Sequence, residues 1–298
     1  MTTAAITPNP TLADRAVLVN LSISGWSAAK SDKKVNHEVA TKHGNAENMG
    51  NYRKCLLAKE AIKTVKDITA RAREEHYRVT LPWRDSGDRI LSSAGYFQYS
   101  ETMRRIQQEW ETAVDTFCAN YPQFVQDARV KLNGLFNEAD YPKLAEIRGK
   151  FSFKFEVLPV PAADDFRVNL GDAEITRIKT QIADAAEQQM QRAMRDVWQR
   201  MHDVIAAMSD RLKVFKRNPD GSTEHPFRDT LVSNITDLLD IIPVLNLTSD
   251  PAITQFADEM RAGLTKYSAQ QLRDAEYART DTAARADEIL NKMAAFIA

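Results

Sequence analysis

Several residue patterns that mark catalytic or cofactor-binding proteins are absent from this chain of 298 residues. Glycine occurs only ten times, and neither the GxxxxGK[ST] loop nor the GxGxxG fingerprint that cradles phosphates is present. The chain also lacks an HExxH zinc motif, a CxxC pair and a GxSxG nucleophile elbow. These absences exclude the commonest nucleotide-binding, zinc and serine-hydrolase signatures. We therefore expect a protein that is not an enzyme and that needs no cofactor.

Cysteine and long apolar runs are equally scarce. The two cysteines, Cys55 and Cys118, are far apart in sequence, and we expect two buried, reduced thiols rather than a disulfide. The longest apolar run near the N-terminus, residues 16–21, is interrupted by Asn20 and falls far short of the roughly 20 residues that span a bilayer. No basic region precedes it as in a signal peptide. The expectation is a cytoplasmic protein.

Histidine and aspartate do not combine into a clear metal-binding or catalytic pattern. His37 and His43 share a polar stretch, but six positions is a poor helical spacing for a common metal ion, so we predict no metal site. Asp85 and Asp88 lie in one turn and have the chemistry of acid–base or metal-binding carboxylates. The interpretation we favour is that they accept backbone N–H groups and pair with neighbouring arginines. A cryptic hydrolase or nuclease at this pair is a minor alternative.

The bulk composition is that of a soluble globular protein, with 43% hydrophobic and 27% charged residues. The net charge of −1 is unevenly distributed, because residues 30–105 contain 16 Lys or Arg against 10 Asp or Glu. A basic region on an acidic body can attract a polyanion, or it can dock on acidic residues of its own chain or of a neighbour. The sequence leaves both interpretations open.

Period-two alternation predicts three strands, at residues 17–24, 77–84 and 151–158. In the second of these, Tyr77, Val79, Leu81 and Trp83 are predicted to share one face. Residues 17–24 also fit helical spacing, but their β-branched content favours a strand. We expect these strands to form a small antiparallel sheet that packs on helices.

Helical periodicity dominates the remainder of the chain. Residues 174–216 contain no glycine or proline and carry apolar residues near heptad spacing, which predicts a helix of about 60 Å. Such a helix must bury its stripe against another long helix, in the same chain or in another subunit. The predicted fold class is α+β and predominantly α-helical. The predicted organisation is a disordered leader at 1–10, an α+β domain at 11–172, and the coiled-coil-like helix with a helical C-terminal region at 173–298.

Basic and aromatic residues are interleaved in the region around the second predicted strand. Proteins that bind single-stranded nucleic acid combine basic and aromatic side chains in this way, because cations follow the phosphates and aromatic rings stack on the bases. Helical and period-two spacing also place most of these rings in a core. The candidate nucleic-acid-binding residues are Arg71, Arg73, Arg78, Trp83, Arg84 and Arg89.

An ordered set of short motifs resembles an uncharacterised family of bacteriophage and prophage proteins, known as a domain of unknown function. The resemblance covers roughly residues 12–265. Its motifs are TLPWxDxGxRIL at 80–91, GLFN at 134–137, YP at 141–142, FRV at 166–168 and FRDxLV at 227–232.

This resemblance implies a gene neighbourhood with a MoxR-like AAA+ ATPase and a von Willebrand factor A-type partner, and it carries over no catalytic residue. It therefore implies an accessory component of an ATPase-driven remodelling system. Together with the long helix and the missing catalytic motifs, it favours a non-enzymatic, phage-encoded assembly or adaptor protein in the host cytoplasm. Such a protein acts with the ATPase or as a homo-oligomer. The alternative function is single-stranded nucleic-acid binding in phage replication or recombination. Neither interpretation involves a membrane.

Overall fold

The computed structural model describes residues 12–44, 49–168, 171–218 and 220–297. Helices dominate these residues, and the fold class is α+β, as predicted. The predicted leader at 1–10 lies outside the described residues. The helices are α1 Leu12–Arg15, α2 Lys33–His43, α3 Lys63–Val79, α4 Tyr96–Leu132, α5 Leu144–Ile147, α6 Asp172–Val214, α7 Thr230–Leu245, α8 Pro251–Leu264, α9 Ala269–Asp274 and α10 Glu276–Ile297.

A small antiparallel sheet of four strands has the order β4–β5–β1–β6. Strand β1 aligns Ala16 with Ser92 and Val19 with Arg89 on β5, and β5 aligns Ile90 with Leu81 on β4. Two separate two-stranded antiparallel sheets pair β2 with β3 and β7 with β8. The strands are β1 Ala16–Ser24, β2 Ala29–Ser31, β3 Arg53–Cys55, β4 Leu81–Pro82, β5 Arg89–Ser92, β6 Ser152–Pro159, β7 Lys216–Arg217 and β8 Thr223–Glu224.

The strand predicted at 77–84 is mostly wrong. Helix α3 continues to Val79, only residues 81–82 form a strand, and the Tyr77 side chain is 54% exposed rather than buried. Once a helix has formed, each further residue adds a hydrogen bond at little cost, so α3 extends through the short alternating pattern. Helical spacing buries Val65, Ala72 and His76 on one face of α3.

The chain divides into two compact units. Unit 1 comprises residues 1–20, 79–97 and 157–298, and unit 2 comprises residues 21–78 and 98–156. The domain boundary predicted near residue 172 stays a prediction.

Helix α6 is the longest element of unit 1, and its 43 residues confirm the predicted long helix. The C-terminal half of α6 packs mainly on α10 and also on α7 and β4. Its buried residues there include Val197, Met201, Ile205, Met208 and Leu212. This half of the stripe is therefore covered by elements of the same chain. The sequence had left open whether the stripe packs within the chain or against another subunit.

The core of unit 2 is built around α4, whose Trp110 and Phe117 rings contact the Phe151 ring edge-on. Val65 from α3 and Leu56 are also buried in this unit. No helix within the described residues has the length and apolarity needed to cross a membrane.

Candidate functional site

The motif-bearing segment at residues 80–89, here called the Trp83 loop, lies in unit 1 and comprises Thr80, β4, the turn at residues 83–88 and the first residue of β5. The backbone N–H groups of Trp83 and Arg84 both donate to the Asp88 carbonyl, at 3.2 and 3.1 Å. Gly87 donates to the Arg84 carbonyl and has φ +97°, a conformation that L side chains rarely adopt. The turn formers of this sequence therefore close a tight loop whose position is set by a strand on each side.

The two loop carboxylates have separate partners. Asp88 accepts hydrogen bonds from Asn20 Nδ2 at 3.0 Å and from Ser86 Oγ at 3.1 Å. Asp85 forms an exposed ion pair with Arg192 of α6 at 3.0 Å. The predicted pairing with an arginine is thus made across the fold rather than with a neighbour in the loop. Among the residues that the structure describes, no group of three His, Cys, Asp or Glu could hold a metal ion.

Two guanidinium groups hold the start of the Trp83 loop through Thr80, which is completely buried. Arg89 donates to Thr80 Oγ1 at 2.7 Å and to the Thr80 carbonyl at 2.8 Å, and Arg200 of α6 donates to the same carbonyl at 2.9 Å. Arg200 also pairs with Asp196 at 2.7 Å. These contacts give Arg89 a structural role in positioning the loop.

A depression of about 250 Å³ opens between the Trp83 loop and α6. The Oε1 atom of Gln189 is buried there and has no hydrogen-bond partner among the described residues. The side chain of Arg84 is exposed and makes no ion pair with a described carboxylate. The depression therefore offers an apolar surface with one unsatisfied acceptor and one unpaired cation. Its lining residues are Trp83, Arg84, Pro161, Gln181, Ile182, Ala185, Ala186 and Gln189.

The N-terminal half of α6, next to this depression, is covered much less than the C-terminal half. None of residues 172–192 is buried, and Ala193 is the first buried residue of the helix. Ile175, Ile178 and Ile182 nevertheless follow helical spacing and are each only partly covered. This half of α6 is an amphipathic surface that the described part of the chain leaves incompletely covered.

The six predicted nucleic-acid-binding residues do not lie in one unit. Trp83, Arg84 and Arg89 belong to unit 1, and the Trp83 ring is only 2% exposed, so it offers no open stacking face. The three arginines of α3 belong to unit 2. The nucleic-acid role of the six-residue set stays a prediction.

The contacts of the three α3 arginines differ from one another. Arg71 forms an ion pair with Glu109. Arg78 makes a bidentate pair with Glu75, whereas Arg73 donates to the Ile23 carbonyl at 3.2 Å and to no carboxylate among the described residues. Arg71 and Arg78 are therefore neutralised by carboxylates, and Arg73 keeps an uncompensated charge.

The cysteines are both free, but Cys55 is exposed, so the expectation of two buried thiols is wrong for this residue. On β3 the buried side chain is Lys54, and period-two geometry turns the adjacent Cys55 to the opposite face. Cys118 is partly covered, and burial raises the pKa of its thiol.

Sequence reasoning missed Gln189 and Arg192. A signal for Gln189 exists, because it follows Ile182 by seven positions and so places an amide where the stripe calls for an apolar residue. Arg192 pairs with a residue 107 positions away, and no local pattern indicates such a contact.

The fold defines a predominantly helical α+β protein with amphipathic surfaces on its longest helix. The family described as "Protein of unknown function (DUF3150)" matches residues 13–217. The chain belongs to this family, which confirms the predicted resemblance to a domain of unknown function. No curated protein and no solved structure matches the chain.

Proposed function

We propose that this chain is a non-enzymatic assembly or adaptor protein that uses the N-terminal half of α6 to bind another protein. The observation that carries the proposal is the contrast between the two halves of α6. The C-terminal half is buried by α10 and α7, while residues 172–192 carry an apolar stripe without one fully buried side chain.

Physical chemistry favours a partner helix on this stripe. Completing the burial of a half-covered isoleucine contributes roughly 1 kcal/mol, so Ile175, Ile178 and Ile182 together offer a useful share of a binding free energy. Heptad-like spacing suits them to a helix that packs alongside α6. The adjacent depression adds the free Arg84 charge and the unsatisfied Gln189 acceptor, which favour a partner with both an acidic group and a hydrogen-bond donor.

The biological setting of the proposal rests on the family resemblance. It points to a phage-encoded, cytoplasmic protein that is accessory to a MoxR-like AAA+ ATPase. Since the chain has no phosphate-binding loop motif, ATP hydrolysis would belong to that ATPase. Self-association through α6 and binding to the ATPase or its von Willebrand factor A-type partner both use the same stripe.

The test is the native mass of the purified chain by light scattering, alone and with the co-expressed MoxR-like ATPase and its von Willebrand factor A-type partner. The stripe variant I175E/I178E is compared with T176E/T180E, which adds the same charge at two exposed positions of the same helix. We expect a defined oligomer or complex that the stripe variant disrupts and the control retains. A monomer that binds neither partner, or equal behaviour of the two variants, would overturn the proposal.

A further inference from the structure

Unit 2 contains a groove of about 280 Å³ between α3 and the chain segment that follows β1. Its floor is apolar and aromatic, because Val65, Trp110 and Phe151 are all at least 95% buried there. The groove residues are Ile23, Ser24, Gly25, Trp26, Ser27, Ile62, Val65, Lys66, Thr69, Ala70, Arg73, Trp110 and Phe151. They include two cations and no carboxylate.

The two cations of the groove differ from their neighbours on α3. Lys63 pairs with Asp67 and Arg71 pairs with Glu109. Lys66 and Arg73 are exposed, and neither has a carboxylate partner among the described residues. Arg73 uses one nitrogen on the Ile23 carbonyl and keeps donors for another acceptor. The groove therefore carries an uncompensated charge of +2 above its aromatic floor.

The polar atoms at the floor are already satisfied. Trp110 Nε1–H donates to Thr69 Oγ1 at 2.9 Å, and the Thr69 hydroxyl donates to the Val65 carbonyl at 2.8 Å. A Cβ at Gly25 would stand 3.4 Å from the Phe151 ring, so the missing side chain keeps this edge of the groove open. The groove thus favours a flat apolar group below and an anion above.

Trp26 supplies an aromatic ring that a flat apolar group in the groove can contact. It is partly exposed, in contrast to Trp83 and Trp110. Contact with Tyr121, at 5.8 Å between ring centroids and edge-on, supports it from one side. A supported but accessible tryptophan beside two free cations is the combination that single-stranded nucleic-acid sites use.

We propose that this groove binds one nucleotide unit of a single-stranded nucleic acid, with the base against Trp26 and the phosphate between Lys66 and Arg73. The site goes beyond the assembly function proposed above and does not depend on it. Of the six residues that the sequence indicated for nucleic acid, it retains only Arg73.

The experiment measures fluorescence anisotropy of a short labelled oligo(dT) with the full chain at low salt. The variant K66E/R73E is compared with K63E/R71E, which makes the same charge change on the same helix at carboxylate-paired positions. A second variant, W26L, removes the stacking ring, and an abasic oligonucleotide removes the bases.

We expect binding that K66E/R73E abolishes and that K63E/R71E largely keeps. W26L should weaken it about tenfold, which corresponds to about 1.4 kcal/mol and lies in the lower part of the range for a base stacked on an aromatic side chain. The logarithm of the affinity should fall with that of the salt concentration with a slope of about −0.7, as expected for one phosphate on a single strand. Four outcomes would overturn the proposal. They are no binding at low salt, equal losses in the two charge variants, equal binding of the abasic strand, and full competition by oligoglutamate.

Discussion

Replacing Lys54 by methionine is expected to destabilise unit 2 more than any comparable change of a surface lysine. The Lys54 side chain is 5% exposed, and its Nζ lies 2.8 Å from Asp140 Oδ2 and 3.3 Å from Asp32 Oδ2. It also donates to the Leu135 carbonyl at 2.8 Å. All three donors of the ammonium group are therefore used, and methionine, of similar length, can replace none of them.

The magnitude follows from what the substitution leaves behind. Breaking a buried ion pair from one side costs about 3–5 kcal/mol, because the remaining charge stays buried without its partner. In the variant, Asp140 still has its ion pair with Lys30 at 2.7 Å, and Asp32 is more exposed than Asp140. The low end of the range of about 3–5 kcal/mol therefore applies. We expect a loss of about 3 kcal/mol in the free energy of unfolding.

The assay is urea denaturation followed by circular dichroism, with K150M as the control at an exposed lysine that pairs with no described carboxylate. The double variant K54M/D140N should recover part of the loss, because it removes the stranded charge as well. A loss below about 0.5 kcal/mol for K54M, which is typical of exposed pairs, would refute the argument that this cluster is desolvated.

The pH dependence gives a second check on the same substitution. Burial alone would raise the pKa of Asp140, but hydrogen bonds from Lys30 and Lys54 outweigh it and hold that pKa below its usual value. Burial alone would lower the pKa of Lys54. Its hydrogen bonds to Asp140 and Asp32 outweigh that effect, so the pKa of Lys54 is raised above its usual value. The carboxylate contribution is complete above about pH 4 and is lost as the pH falls through the lowered pKa. The lysine contribution is complete below about pH 10 and is lost as the pH rises. The difference between wild type and K54M should therefore be constant near neutrality and shrink at both extremes.

Two further substitutions in unit 1 test its packing and capping. A Cβ at Gly95 would lie 2.6 Å from Val244 Cγ1, so G95A should cost about 1–3 kcal/mol in thermal or urea unfolding, and G95A/V244A should recover most of it. If G95A is neutral, the backbone there yields more easily than the contact indicates. Ser268 and Gln271 form a reciprocal capping box at the start of α9, so S268A should cost about 1 kcal/mol in the same assay, whereas S268D should cost less. Equal stability of S268A and wild type would contradict that role.

Much of the fold could be predicted because the signals are local. The absence of glycine and proline over 174–216 indicated α6 to within two residues at each end. The Asp250–Pro251 pair and the Ser-x-x-Gln pattern at residues 268–271 are local signals of the same kind. They form the N-cap and first helical residue of α8 and the capping box of α9. Alternation likewise identified β1 and β6, each long enough for period two to stand out.

The errors arose where tertiary contacts or competing elements decided the outcome. The alternation at 77–84 was real but short, and the helix that precedes it prevailed as far as Val79. Strand β5 has only four residues and carries two adjacent buried side chains, Ile90 and Leu91, so it shows no period of two. Trp83 sits where basic and aromatic residues concentrate in sequence, yet the fold buries its ring under α6.

The basic excess at residues 30–105 is the clearest case in which a property of the sequence is not a property of the surface. Carboxylates from outside this window compensate several of its cations, since Asp140 pairs with Lys30 and Lys54, and Glu109 pairs with Arg71 and Arg105. For these four cations, the docking of a basic region on acidic residues of its own chain describes the structure better than a broad polyanion surface. On α3, the two cations without a described carboxylate partner are Lys66 and Arg73, which line the groove beside Trp26. A site of that size neutralises about one phosphate, so it suits local capture of a nucleotide rather than tracking along a strand. That is why we expect a shallow salt dependence.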